Sequence, residues 1–146
     1  MSFRSRVQKV MRGGDLRFSP PSTAVRISAH TASYTLIPQD SGTIFTNRAA
    51  TGTVTFTLPA PASNEGMHAT FYVIADFAIV IASATTDTMV IPTDDAGTGD
   101  GDLAADSFTF ATSNEITGAS CHCVCDGTSW LVAMQTATGV AFAITT

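Results

Sequence analysis

The segment "TVTFTLP" (residues 53–59) alternates small polar and large apolar residues without a break. A period of two places Val54, Phe56 and Leu58 on one face of an extended strand and the intervening threonines on the other. A helix could not use that pattern, because it brings together positions three and four apart. The same signature recurs in "VRISAH", "SYTLI", "TIFTN", "TMVIP", "SFTFAT", "EITGASCHCVC", "TSWLVAMQT" and "GVAFAIT", all short β-branched or aromatic runs. The runs "MHATFYVIA" and "FAIVIAS", on either side of Asp76, read as two well-buried strands paired with each other. Turn residues divide the runs at Pro38–Gly42 and Ala50–Gly52. Asp126-Gly127 predicts a tight hairpin whose two central residues both take positive φ. Strands spaced this evenly, with no long amphipathic helix between them, predict an all-β fold: a β-sandwich or a jelly-roll-like barrel.

A chain of 146 residues fits one domain, and a domain of that size buries roughly 70% of its unfolded surface without metal or disulfide staples. Only 13% of the residues are charged, too few for the disordered class. The charges are unevenly placed. Arg4, Arg6, Lys9, Arg12, Arg17 and Arg26 stand against Asp15 alone in the first 26 residues, a net charge of +5. From residue 27 onward Arg48 stands against 11 acids, a net charge of −10. The chain therefore divides into an extended basic N-terminal arm, residues 1–24, and an acidic β-sandwich body, residues 25–146. Gly13-Gly14 and Ser19-Pro20-Pro21 prevent one continuous helix in the arm. No apolar stretch follows the basic start as a secretory signal requires, and "MHATFYVIADFAIVIAS" is broken by Asp76, so a soluble product made in the cytoplasm is expected.

The three cysteines fall in one run, "CHCVC" (residues 121–125). On a strand, Cys121, Cys123 and Cys125 share a face, with the outer two about 13 Å apart. Zinc needs sulfurs about 4 Å from one another, so a straight strand cannot bring all three to one ion. His122 points the opposite way. The expected role is a buried apolar stripe of thiols. The aspartates of the loop "TDDAGTGDGDLAAD" (Asp94, Asp95, Asp100, Asp102 and Asp106) lack the ligand order of an EF-hand and read as a solvated loop. His30, His68 and His122 stand beside no nucleophile motif, and no phosphate-binding glycine loop opens a helix. No catalytic residue, metal ligand or cofactor is assigned, and an enzyme is not expected.

The arm is the strongest site candidate. Arg4, Arg6, Lys9, Arg12 and Arg17 interleave with Phe3 and Phe18, a mixture that suits a protein groove through planar guanidinium contacts and apolar docking. A body of charge −10 repels phosphate, so nucleic acid is not the expected partner.

Two segments together resemble a β-rich domain of tailed-phage virion proteins. In "YTLIPQDSGTIFTNRAATGTVTFTLPAP" (34–61) a Tyr-containing strand leads to a "D-S-G-x-x-F-T-N" turn and strand and then to "V-T-F-T-L-P". "CDGTSWLV" (125–132) supplies the late "D-G-T-x-W" hairpin. The resemblance spans residues 34–134 and leaves out the arm. It implies a structural protein such as a capsid decoration (cement) protein, a head fibre or the end of a tail fibre, commonly a homotrimer without catalytic residues. A short arm on one compact body, without stalk, heptads or repeats, fits a cement protein on the capsid surface, with the major capsid protein and its own copies as partners and no membrane. The other expectation is a receptor- or glycan-binding tip that uses the aspartate loop or an exposed Trp130.

Overall fold

The computed structural model describes residues 24–91, 102–110, 117–135 and 142–145. Their regular secondary structure is almost entirely strand: β1 (Ile27–Ala29), β2 (Tyr34–Thr35), β3 (Thr43–Thr46), β4 (Val54–Leu58), β5 (His68–Tyr72), β6 (Ile79–Ser83), β7 (Met89–Ile91), β8 (Asp102–Ala105), β9 (Ser107–Phe110), β10 (Ser120–Cys125), β11 (Trp130–Gln135) and β12 (Phe142–Thr145). Two short 3-10 turns, Pro38–Asp40 and Pro61–Ser63, punctuate them, each opened by the proline that sets φ for a first turn. No helix among the described residues is long and apolar enough to cross a membrane.

The strands form a seven-stranded sheet in the order β1-β3-β5-β10-β11-β7-β8 and a five-stranded sheet in the order β12-β9-β6-β4-β2. The all-β fold expected from the alternation is present, as a two-sheet sandwich. Its connectivity carries information that alternation does not. Through the first half the chain changes sheet at every strand, so β1, β3 and β5 pair in parallel in one sheet while β2, β4 and β6 pair in parallel in the other. The second half completes both sheets with antiparallel partners: β10 adds to β5, and β9 adds to β6. The β10–β11 hairpin is wedged between β5 and β7, with β11 running parallel to β7.

This winding corrects the expected pairing of the two runs around Asp76. β5 and β6 lie in different sheets and do not pair, because residues 73–78 carry the chain from one layer to the other. The aspartate-rich segment is corrected as well. Its last part, Asp102–Ala105, forms β8 against β7, and Asp106 then turns the chain into β9 of the opposite sheet. Asp94, Asp95 and Asp100 lie outside the described residues.

The period-two pattern decides what the sheets enclose. Val54, Phe56 and Leu58 of β4 are fully buried, as are Ile79 and Ile81 of β6. They face Phe45 of β3 and Phe71 of β5 from the other layer. The rings of Phe45, Phe56 and Phe71 form a triangle with centroid separations of 5.2–5.5 Å. Aromatic pairs in this range add about 0.5–1.5 kcal/mol each beyond the area they bury. Further along the sandwich Phe108 meets Phe110 edge to face at 5.5 Å, beside buried Met89 and Ile91.

Candidate functional site

The arm residues Phe3, Arg4, Arg6, Lys9, Arg12, Arg17 and Phe18 lie outside the described residues. The structure does describe the next basic residue of the sequence, Arg26. Arg26, just before β1, donates from Nε to Thr43 Oγ1 (2.8 Å) and from Nη2 to Gln39 O (3.0 Å) and Asp40 Oδ1 (2.9 Å). Asp40 is buried in the 3-10 turn, where its other carboxylate oxygen accepts from the Tyr34 hydroxyl (2.9 Å) and the Ile37 amide (3.0 Å). The hydrogen bond to Asp40 holds the Tyr34 proton and raises the phenol's pKa, with burial adding to the effect. The carboxylate thus fastens β1, β2 and the turn before β3 to one another. Beside this clamp Val25 and Ile27 remain 57% and 68% exposed on an edge strand.

Ser28 and His30 form a contact that sequence reasoning missed. Ser28 Oγ lies 2.9 Å from His30 Nε2, because positions two apart on β1 and its continuation share a face. A hydroxyl next to an imidazole is one ingredient of nucleophilic catalysis, which also needs a third group to orient the base. Asp40, whose charge reaches His30, is engaged by Arg26, Tyr34 and Ile37 instead. The imidazole packs against Tyr34 at 4.3 Å and Phe56 at 5.5 Å. Burial lowers its pKa, and Asp40 opposes that shift. The arrangement fastens the end of β1 to the aromatic core.

The cysteine strand is placed as its spacing predicts. Cys121, Cys123 and Cys125 line the inner face of β10 at 0–2% exposure, and His122 faces outward. All three thiols are free. Burial pushes the Cys121 thiol well above its ordinary value, and the adjacent Cys123 adds to the shift. Burial also raises Cys125, whose Sγ donates to Pro61 O at 3.5 Å. None of the three is expected to react with Ellman's reagent within minutes at pH 8, whereas all three should react once guanidinium unfolds the chain. A folded-state thiol pKa above the unfolded value stabilises the fold below the unfolded value. That contribution is lost as pH climbs, so stability measured by urea titration should fall on the alkaline side of about pH 9.

The hairpin after β10 forms, with its tip one residue later than expected. Asp126 N–H donates to Ser129 O (3.0 Å), leaving Gly127 and Thr128 at the tip, and Gly127 takes the positive φ of 91°. Asp126 contributes its carboxylate instead, accepting from the amides of Thr128 (2.8 Å) and Ser129 (2.6 Å), and these bonds lower its pKa. The expected exposure of Trp130 is overturned. Trp130 is fully buried, and its Nε1 donates to Pro59 O (2.9 Å) at the end of β4 in the opposite sheet. An aromatic residue with a buried ring and a nearby carbonyl is a core residue, so it presents no ring to a sugar.

Asn47 is a second polar residue that sequence reasoning left without a role. It is completely buried, and Oδ1 accepts from the amides of Ile74 (2.7 Å) and Ala75 (2.9 Å). Its Nδ2 donates to Phe77 O (2.9 Å) and Ala75 O (3.3 Å). One side chain thereby fixes the crossover from β5 to β6. Asp40, Asn47, Pro59 and Trp130 each tie together elements that are distant in sequence. No known protein family matches the chain, and no curated protein matches it.

Proposed function

We propose that this chain is a capsid decoration (cement) protein of a tailed phage, which binds the outer surface of the head as a homotrimer and stabilises it. The arm, through Phe3, Arg4, Arg6, Lys9, Arg12, Arg17 and Phe18, docks on the major capsid protein. The observation that carries this reading is the arm root. The basic residues 4–17 precede Arg26, which is tied to Thr43, Gln39 and Asp40, and Val25 and Ile27 on either side of it are exposed apolar residues. An arm that orders on a partner gains affinity by covering a large surface, and three arms on one trimer gain further by avidity. The resemblance of residues 34–61 and 125–132 to virion β-domains supports the same assignment.

The test removes residues 1–18 and measures, for the full chain and the truncated one, oligomeric mass by light scattering and co-sedimentation with phage heads. The expected result is a folded trimer of the body that no longer sediments with heads. Undiminished binding by the truncated chain would overturn the role of the arm, and a monomeric full chain would overturn the trimer. The alternative, a glycan-binding tip, has one observation in its favour. A shallow depression of about 320 Å³ is lined by polar and apolar residues alike, among them Pro38, Ser41, Asn64, Glu65 and Met67, beside a buried Asn64 Oδ1 that has no hydrogen-bond partner. It lacks the aromatic platform that Trp130 was expected to supply.

A further inference from the structure

His68 and His122 are 54 positions apart in sequence, and sheet register makes them neighbours. In the antiparallel pair of β5 and β10, His122 stands opposite Thr70 and His68 opposite Val124, so the two histidines are diagonal partners on the outer face. Diagonal positions lie roughly 7–8 Å apart along the backbone, within reach of long side chains. Both residues are exposed, and their ring centroids are 5.9 Å apart with the planes inclined by 55°. We infer that this pair is a surface binding site for a divalent transition-metal ion of the nickel, copper or zinc type, held by the two Nε2 atoms.

Two features of the site carry the inference. The first is spacing. A metal–nitrogen bond of about 2.0–2.1 Å puts each ring centroid about 3.2 Å from the ion, so two rings on one tetrahedral ion have centroids roughly 5.2 Å apart and never more than about 6.4 Å. The observed separation of 5.9 Å lies inside that window.

The second is the fate of the other ring nitrogens. His68 Nδ1 lies 3.3 Å from Gly66 O, a carbonyl that only accepts, and 3.5 Å from Ser41 Oγ; in the tautomer that donates from Nδ1 to the carbonyl, the Nε2 lone pair is left for a ligand. His122 Nδ1 lies 2.9 Å from Thr70 Oγ1, a hydroxyl able to accept in the same way. Histidine ligands are characteristically oriented by such a bond from the nitrogen that does not bind the metal.

His68 Nε2 lies beside Gly42, on the β3 side of β5, so the ring turns toward β10 to share an ion with His122. Imidazole selects ions of this borderline class over magnesium or calcium. The described residues include no cluster of three or more such ligands, so the remaining coordination positions face solvent.

The experiment uses the untagged full chain and titrates nickel chloride by calorimetry, with retention on a nickel-chelate column as a second readout. One ion per chain is expected. His68→Ala and His122→Ala should each lower the affinity at least about 10-fold and abolish retention, while His30→Ala should change neither. Both histidines are exposed, so circular dichroism should show the variants folded. Absence of saturable binding, or binding unchanged in the His68→Ala/His122→Ala double variant, would overturn the site. Thr70→Val, which keeps both imidazoles and removes the hydroxyl beside His122, is expected to weaken binding by a smaller factor than loss of either histidine.

Discussion

Trp130→Ala should destabilise the fold by about 4–5 kcal/mol, at the upper end of the range for removing a buried aromatic side chain. The ring is fully buried on β11, next to Met89 and Cys125 in the sheet register, and its N–H reaches Pro59 O of the facing sheet. Alanine therefore leaves a cavity and also a carbonyl without its donor. In a domain whose total stability is of order 5–15 kcal/mol, such a loss brings the chain close to unfolding at room temperature. A urea midpoint followed by circular dichroism should drop by roughly 2 M. Fluorescence cannot report on the variant, because the chain has one tryptophan. Trp130→Phe separates the two contributions. It keeps most of the apolar volume and loses the hydrogen bond and a small part of the ring, so about 1–2 kcal/mol is expected. An alanine cost below about 2 kcal/mol would mean that the two sheets close over the hole and that the ring does not hold them apart.

Asn47→Ala is expected to cost about 3–5 kcal/mol for a different reason. The side chain fills little volume, yet it satisfies the amides of Ile74 and Ala75 and the carbonyls of Ala75 and Phe77. Each buried backbone group left without a partner costs roughly 1–3 kcal/mol, and these effects are not fully additive. Asn47→Asp tests the polarity of the arrangement. A carboxylate can still accept from the two amides but offers nothing to the carbonyls and places charge in the interior, so a loss similar to that of alanine is expected. Guanidinium titration of the three proteins checks both values. A loss below about 1 kcal/mol for alanine would show that the crossover from β5 to β6 is held by its packing and that the amide is dispensable.

The parts of this fold legible in the sequence are those governed by a local period. Val54, Phe56 and Leu58, and equally Cys121, Cys123 and Cys125, are buried where alternation places them, because a pleated strand has no other way to sort its side chains. Partner choice was not legible. Two adjacent apolar runs read as a hairpin, but β5 and β6 part into different layers, and the bend that parts them is stabilised by Asn47, about 30 residues upstream in sequence. β8 was concealed because Asp102 closes a stretch rich in Asp and Gly, and pairing with β7 overrides that composition. Trp130 was misread because "D-G-T-x-W" places it beside a turn, where a side chain could face either solvent or the core. What settles it is a carbonyl 71 residues away. The contact of His68 with His122 depends on which strands are neighbours and in what register, and that follows only from the assembled sheets.

The wedged β10–β11 hairpin has a consequence for the order in which the chain is made. β5 emerges from the ribosome with β3 available to pair along one edge, but its other neighbour, β10, is about 50 residues from synthesis, as the 52-residue separation of Thr70 and His122 records. Until then β5 presents open backbone on that side, above a core still lacking Trp130 and the cysteines. β7 is in the same position, waiting for β11. Such contacts between distant parts of a chain slow folding, and the open edges invite pairing with other chains. The last third of the sequence therefore acts as the closure of the seven-stranded sheet, and nascent chains that stop before β10 would carry β5 and β7 with nothing between them.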